Sequence, residues 1–161
     1  MFIIIYYNNI YLFILIPKKQ KLIQEFKSMQ TTIYKHISDH AGWNYLLTVL
    51  KKIILYSPKA SKAEIQQLLN EHTEFVKKQL SDFPGHETIW YYLRLLYGFF
   101  CQYKDGIYDQ GEKELQSFYD KEIAFINKTY LDENNPNTLL VEEKFALQYK
   151  LWLYFNVSKY K

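Results

Sequence analysis

The sequence predicts an all-α protein of the α-α superhelix class, a right-handed solenoid of αα-hairpin repeats. One reason is a block that occurs twice, at Ser38–Leu47 and at Gly85–Arg94. Aligning Trp43 with Trp90 gives an offset of 47 residues, a period typical of stacked helical units. A second reason is that apolar residues recur every three or four positions along most of the chain, and no alternating strand pattern of useful length is present.

The two copies agree at further positions, and a weaker third copy follows them. The same alignment places Tyr45 over Tyr92, Leu46 over Leu93, and Leu50 over Tyr97. The third copy lies at Phe145–Leu153, with Tyr149 over Tyr92 at an offset of 57 residues. Insertions in helical arrays fall in loops, so an unequal offset is compatible with a repeat.

The apolar spacing and the breaker residues divide the chain into six helices. Helical spacing begins at Leu22–Ile33 and resumes at Trp43–Ile54, after which Ser57-Pro58 breaks it. Ser61-Lys62-Ala63-Glu64 is a capping box that opens a third helix, and Asp82–Gly85 ends that helix. The remaining predicted elements are a helix from about His86 to Phe100 that is apolar around most of its circumference, a turn at Asp105-Gly106, a helix over Leu115–Ile126, a polar loop over Asp132–Asn137 and a helix over Leu139–Tyr154.

Composition favours a globular binding protein and argues against several other classes. The chain of 161 residues is 48% hydrophobic and 23% charged, which excludes a disordered protein. The net charge of +3 is spread along the chain, so it does not indicate nucleic-acid binding. With Cys101 as the one cysteine, no disulfide can form within the chain, and a reducing compartment such as the cytoplasm is expected.

Residues 1–19 differ from the rest, and we expect one helical repeat domain over residues 20–161. The first sixteen residues are apolar except for Asn8 and Asn9, and Pro17-Lys18-Lys19 follows. A membrane span needs about 20 apolar residues, and a secretory signal carries its positive charge before the apolar run. A buried helix, a secretory signal or membrane anchor, and a start from an incomplete gene sequence all remain open for this segment.

The repeated block resembles the repeat of protein prenyltransferase alpha subunits. That repeat reads roughly Asn-Tyr-x-x-Trp-x-x-Arg with an apolar tail. The stretches that carry the resemblance are His36–Tyr45, Phe83–Trp90 and Tyr149–Leu153, and the resemblance covers roughly residues 31 to 155, as in a C-terminal portion of a family protein.

The resemblance implies a non-catalytic subunit that wraps a beta subunit shaped as an α-barrel. In this family the beta subunit carries the zinc and most of the isoprenoid pocket, so no cofactor or metal is expected in this chain. The implied partner is the beta subunit of Rab-type geranylgeranyltransferase, together with a protein substrate and an isoprenoid diphosphate. Such a complex is a type 3 geranylgeranyltransferase, which transfers the isoprenoid to a cysteine, and the isolated chain is expected to be inactive.

This sequence departs from the family pattern at its basic positions. The arginine expected three residues after each tryptophan is replaced by Leu46 and Leu93, and Arg94 stands one position later. The lysine that approaches the lipid diphosphate five residues before a repeat tryptophan is replaced by Ser38 and Gly85. These departures favour a second hypothesis, a helical-repeat adaptor that binds proteins without an enzyme partner.

The residues of the repeats fall into two predicted groups. Those expected to fill the core are Trp43, Tyr45, Leu50, Trp90, Tyr92, Tyr149 and Trp152. Those expected at an interface or on the substrate side are His40, Asn44, His86, Glu87 and Arg94. We expect no catalytic residue among them.

The sequence gives only weak support for metal binding or catalysis by this chain. His36 and His40 are four residues apart, a spacing that places two ligands of some zinc sites on one helix face. No third ligand stands nearby, so helix capping around Ser38-Asp39 is the preferred interpretation. His86 and Glu87 are an acid–base pair in principle, and capping of a helix start is again preferred. Cys101 lacks a neighbouring base and is expected to be a buried, inert thiol.

Overall fold

The computed structural model describes residues 20–55, 62–107, 111–132 and 140–157. Most of these residues are helical, and none of them lies in a β-strand. They belong to two compact units, residues 1–60 and residues 61–161, which are described separately below as the first and the second unit. None of the helices in the described part of the chain is long and apolar enough to cross a membrane.

The first unit is a helical hairpin. Helix α1 covers residues 20–35 and helix α2 covers His40–Leu55. The turn between them is held by backbone bonds from His36 N–H to Ile33 O and from Asp39 N–H to His36 O, at 3.0 and 2.9 Å. Phe26 and Ile33 of α1 are buried, in agreement with the three- and four-residue spacing that predicts this helix.

The second unit contains five helices. They are α3 (Lys62–Asp82), α4 (Glu87–Gln102), α5 (Lys104–Ile107), α6 (Glu112–Tyr130) and α7 (Leu140–Val157). Helix α4 packs against α3, α5 and α7, and α7 packs against α4 and α6. The prediction of an apolar, buried helix after His86 is therefore confirmed, because α4 has neighbours on several sides.

The turn between α3 and α4 lies in the predicted helix-breaking stretch Asp82–Gly85 and depends on the conformation of Gly85. This residue has a φ of +81°, a left-handed conformation that costs a residue with a Cβ but is open to glycine. Phe83 N–H donates to Gln79 O at 3.0 Å and ends α3, and Ile89 N–H donates to His86 O at 3.2 Å at the start of α4. These backbone bonds end one helix and begin the next, so the chain reverses direction where the sequence predicts it.

The turn predicted at Asp105-Gly106 is wrong. The structure has the short helix α5 there, because Ile107 N–H donates to Tyr103 O at 3.1 Å. Ile107 is fully buried, so burial of its side chain favours the helical path. The predicted break at Ser57-Pro58, the first residue of the capping box at Ser61, most of the polar loop over Asp132–Asn137 and the segment 1–19 lie outside the described residues.

Candidate interaction surfaces and the polar core

The first repeat block is organised by the start of α2. Asp39 caps this helix, since its Oδ1 accepts a bond from the backbone N–H of Ala41 at 3.0 Å. Trp43 lies in the core, and its indole Nε1 donates to Ile37 O in the preceding turn at 2.9 Å. Leu50 is also buried, so the packing of the first unit is built on the inner side of α2.

The position of Tyr45 corrects one prediction. Tyr45 was expected in the core, but 44% of its surface is exposed, whereas Tyr92 at the equivalent position is completely buried. The hydroxyl of Tyr45 donates to a carboxylate oxygen of Glu25 on α1, which gives the side chain a polar partner at the surface. This hydrogen bond, with a smaller contribution from desolvation, raises the pKa of Tyr45.

The outer side of α2 is exposed and polar. His40, Asn44 and Thr48 follow one another at four-residue spacing, and all three are exposed. His40 and Asn44 are thus exposed, and their contact with a partner stays a prediction. Together with Tyr45 they form what we name the α2 surface.

His36 and His40 do not share a helix face. His36 follows the end of α1 and His40 is the first residue of α2, with the turn between them. The i, i+4 argument for a zinc site needs a continuous helix, so it fails here. Within the described ranges, no three His, Cys, Asp or Glu side chains are placed to hold a metal ion.

The second repeat block lies at the centre of the second unit. Trp90 is buried, with its ring 5.0 Å from that of Tyr130 and 5.9 Å from that of Tyr149. In contrast to Trp43, its indole N–H finds no acceptor among the described side chains and backbone. The equivalent tryptophans therefore fill space in the same way but bond differently.

Tyr92 is held by a histidine that the sequence analysis did not select. His72 Nε2 lies 2.7 Å from the Tyr92 hydroxyl, and both residues are buried. Burial lowers the pKa of His72 to about 3 and raises that of Tyr92 well above its ordinary value. The imidazole is therefore neutral near pH 7, and the pair ties α3 to α4.

The third copy contributes one fully buried residue and one partly exposed residue. Tyr149 is buried, and desolvation raises its pKa well above the ordinary range. Trp152 is only partly buried, with its ring stacked on Tyr149 at 6.3 Å and edge-on to Tyr97 at 5.8 Å. Trp152 thus closes the aromatic core towards the surface.

The remaining predicted interface residues lie on α4. Glu87 is exposed in the first turn, where its charge interacts favourably with the helix dipole. His86 occupies the N-cap position, but its side chain makes no capping hydrogen bond, so the capping role expected for it is wrong. Its ring instead lies edge-on to Phe83 at 6.3 Å. Arg94 is partly buried, and its charge opposes the rise in the pKa of Tyr149.

A buried ion pair between α3 and α6 was not predicted from the sequence. Lys77 Nζ lies 2.6 Å from Glu122 Oε1, and the same ammonium lies 4.8 Å from the centre of the Phe125 ring. Burial raises the pKa of Glu122, and the Lys77 charge opposes that rise. The sequence signal that could have predicted this pair is the position of Glu122 on the apolar side of α6. That side is formed by Leu115, Tyr119 and Ile126.

Two other features carry little chemistry. Burial raises the pKa of the Cys101 thiol to about 11, which agrees with the expectation of a buried, unreactive cysteine. A groove of about 200 Å³ lies between α3 and α6. Gln66 bridges part of it by donating to Ile107 O and to Glu114 Oε1, at 3.3 and 3.2 Å.

The outward side of α7 is apolar. Of the six exposed large apolar side chains of α7 that the structure describes, four lie on this side, with exposed fractions of 85%, 43%, 54% and 49% for Leu140, Leu147, Leu151 and Tyr154. Every exposed leucine or valine whose side chain the structure describes lies on α7. We name the side formed by Leu140, Lys144, Leu147, Leu151 and Tyr154 the α7 seam, and its apolar patch marks an interaction surface.

Comparison with known proteins identifies the repeat. A family model described as the protein prenyltransferase alpha subunit repeat matches residues 22–53, which lie within the α1–α2 hairpin. Human protein prenyltransferase alpha subunit repeat-containing protein 1 is 27% identical over 188 aligned positions, which cover 82% of this chain and 45% of that protein. The related protein 1-A of Xenopus laevis is 25% identical over 114 positions, covering 53% of this chain and 26% of that protein.

The chain thus spans less than half the length of the curated relatives it matches. No solved structure matches it significantly. The fold class predicted from the sequence is confirmed, because the described residues are helical and the matched repeat is of the α-α superhelix class. The resemblance stated above, to the protein prenyltransferase alpha subunit repeat, is confirmed as well by the match over residues 22–53.

Proposed function

We propose that the chain is the alpha-type subunit of a heterodimeric protein prenyltransferase similar to geranylgeranyltransferase type 3. The observation that carries the proposal is the match of residues 22–53 to the prenyltransferase alpha subunit repeat. The proposed partner is a zinc-bearing beta subunit of the Rab type, in the cytoplasm. The chain would support that subunit and shape the groove that receives the protein substrate.

The chemistry of transfer is assigned to the partner. The titratable groups whose pKa values shift most strongly in the second unit are buried and serve packing, as with His72 and Tyr149. Zinc on the beta subunit would stabilise the substrate cysteine as a thiolate, whose sulfur attacks the isoprenoid carbon as diphosphate leaves. The role of this chain would then be positional, and we propose no catalytic residue in it.

The α2 surface is the proposed contact with the beta subunit. It belongs to the hairpin that matches the family model, and His40, Asn44 and Tyr45 are exposed there. Tyrosine and amide side chains provide contact area and hydrogen bonds at low entropic cost. The bond from Tyr45 to Glu25 holds the aromatic ring in place before a partner arrives.

A second candidate function has its own supporting observation. At the positions where the family repeat has arginine, Leu46 and Leu93 are completely or almost completely buried. No charged group is presented from those positions, so contacts that depend on the repeat arginines are lost. A helical-repeat adaptor, which binds proteins without taking part in transfer, is compatible with that loss.

A transfer assay separates the two functions. The chain is co-expressed with a Rab-type geranylgeranyltransferase beta subunit, and transfer of a labelled geranylgeranyl group to protein acceptors is measured with and without the chain. Transfer that requires the chain, and that falls at least about 10-fold in His40→Glu/Asn44→Arg, supports the subunit function. Lys78→Glu, an exposed change on α3, is the control and should leave transfer unchanged. Well-folded chain that neither binds the beta subunit nor changes the rate of transfer favours the adaptor.

A further inference from the structure

Helix α7 has two apolar sides. The inward side contains Ala146, Tyr149 and Leu153, all of which are buried. The α7 seam lies on the other side, because successive residues are rotated by about 100° around a helix. A helix that is apolar on opposite sides is suited to packing against a second layer.

The spacing along the seam is that of a coiled coil. Leu140, Lys144, Leu147, Leu151 and Tyr154 follow one another at intervals of four, three, four and three residues. This alternation keeps one side of a helix facing one partner helix along its length. The occupant suited to the seam is therefore another helix with a similar apolar stripe.

We propose that α7 pairs with α7 of a second copy of this chain, in an antiparallel arrangement. Charges beside the seam support the choice of occupant. Glu143 and Lys150 occupy the same flank, one heptad apart. In an antiparallel pair with Leu147 opposite Lys144, Glu143 of each copy faces Lys150 of the other, which gives two ion pairs by symmetry.

Other arrangements of the same two helices match less well. A slip by one heptad in one direction places Lys150 against Lys150 of the second copy, and a slip in the other direction places Glu143 against Glu143. A parallel pair places these residues opposite the other flank, which contains Val141, Gln148 and Phe155. The charges therefore select one orientation and one register.

The contacts of Lys150 and Lys144 fit this arrangement. Lys150 Nζ donates to Asn127 Oδ1 of α6 at 2.6 Å, so its ammonium is held on the flank near α6. Lys144 is exposed, and its hydrocarbon stem can lie against Leu147 of the second copy while the charge reaches water. A charged residue in an apolar seam lowers affinity but favours one register.

Sedimentation velocity of the full chain over a wide concentration range tests the proposal. We expect reversible dimerisation, and we expect Leu147→Glu/Leu151→Glu to weaken it at least about 100-fold without changing the helical circular dichroism. Tyr91→Glu, at an exposed position of α4, is the matched control and should dimerise normally. A chain that stays monomeric, or a dimer unaffected by the double glutamate change, overturns the proposal.

Charge exchange tests the orientation. Glu143→Lys and Lys150→Glu should each weaken dimerisation by about 5-fold, and the two changes together should restore it. Failure of the double variant to recover overturns the antiparallel register. Because the α2 surface is not involved, the dimerisation result does not depend on the prenyltransferase assignment.

Discussion

The imidazole Nε2 of His72 on α3 and the hydroxyl of Tyr92 on α4 lie 2.7 Å apart inside the second unit. Tyr92 occupies the repeat position that Tyr45 holds in the first block, yet Tyr45 is exposed and bonded to Glu25. A buried hydroxyl needs a polar partner, and His72 provides it. The two repeat tyrosines thus have different polar partners, one inside the second unit and one at the surface of the first.

The His72–Tyr92 pair makes stability depend on pH. The pKa of His72 is about 3 in the folded chain against 6.5 for an ordinary histidine, so the unfolded chain binds a proton more readily. The contribution of neutral His72 to the free energy of unfolding is fully present above pH 6.5 and is lost as the pH falls towards 3. At pH 5 we expect a loss of about 2 kcal/mol from the free energy of unfolding, measured by urea titration.

His72→Gln removes the titrating group and is the comparison for that measurement. Glu122 has a raised pKa, so its effect on stability has the opposite sign, and it cancels in the difference between the two proteins. Equal pH dependence in the two proteins would mean that His72 does not titrate as its burial predicts.

The Lys77–Glu122 pair should show strong coupling. Lys77→Met leaves the Glu122 carboxylate buried without its cation, and we expect the free energy of unfolding to fall by about 3–5 kcal/mol. Adding Glu122→Leu removes the buried charge and should recover most of the loss. A urea-denaturation double-mutant cycle measures the coupling, and simple additivity of the two changes would contradict the buried pair.

The two aromatic residues of the first block should differ in stability effect. Trp43→Ala removes a buried indole and its bond to Ile37 O, so we expect a loss of about 3–5 kcal/mol. Tyr45→Ala removes an exposed ring and should cost less than about 1 kcal/mol. Thermal unfolding followed by circular dichroism compares them, and similar losses would show that Tyr45 is buried after all.

Two glycines should respond to alanine in opposite directions. Gly98 lies within α4, and a Cβ there would meet no atom within 4 Å, so Gly98→Ala should stabilise the chain by about 0.5–1 kcal/mol. Gly85 has a φ of +81°, so Gly85→Ala should destabilise it by about 1–2 kcal/mol. The midpoints of urea denaturation give both values, and a stabilising Gly85→Ala would contradict the turn geometry.

Local sequence signals predicted the helices well because apolar spacing and breaker residues are properties of neighbouring positions. The start of α4 and the chain reversal at Gly85 are examples. Tyr45 was placed wrongly because the repeat alignment fixes a position along a helix but not the neighbour that covers it. The Lys77–Glu122 pair was missed because it joins residues on two helices far apart in sequence.

The α7 seam illustrates a similar limit. The apolar residues of α7 are visible in the sequence, but periodicity did not separate the inward set around Tyr149 from the outward set around Leu147. Only the packing of α7 against α4 and α6 shows which set is covered. Burial also explains the consequence of having Leu46 and Leu93 where the family repeat has arginine. Because both side chains are buried, those positions present no charge to a partner.

The most direct test of the central claim is co-purification of the chain with a Rab-type geranylgeranyltransferase beta subunit, with and without residues 1–19. Light scattering after size exclusion gives the stoichiometry of any complex. The match of residues 22–53 to the prenyltransferase alpha subunit repeat and the exposed α2 surface predict a one-to-one complex that His40→Glu/Asn44→Arg weakens. Well-folded chain that elutes apart from the beta subunit in both forms would contradict the subunit proposal.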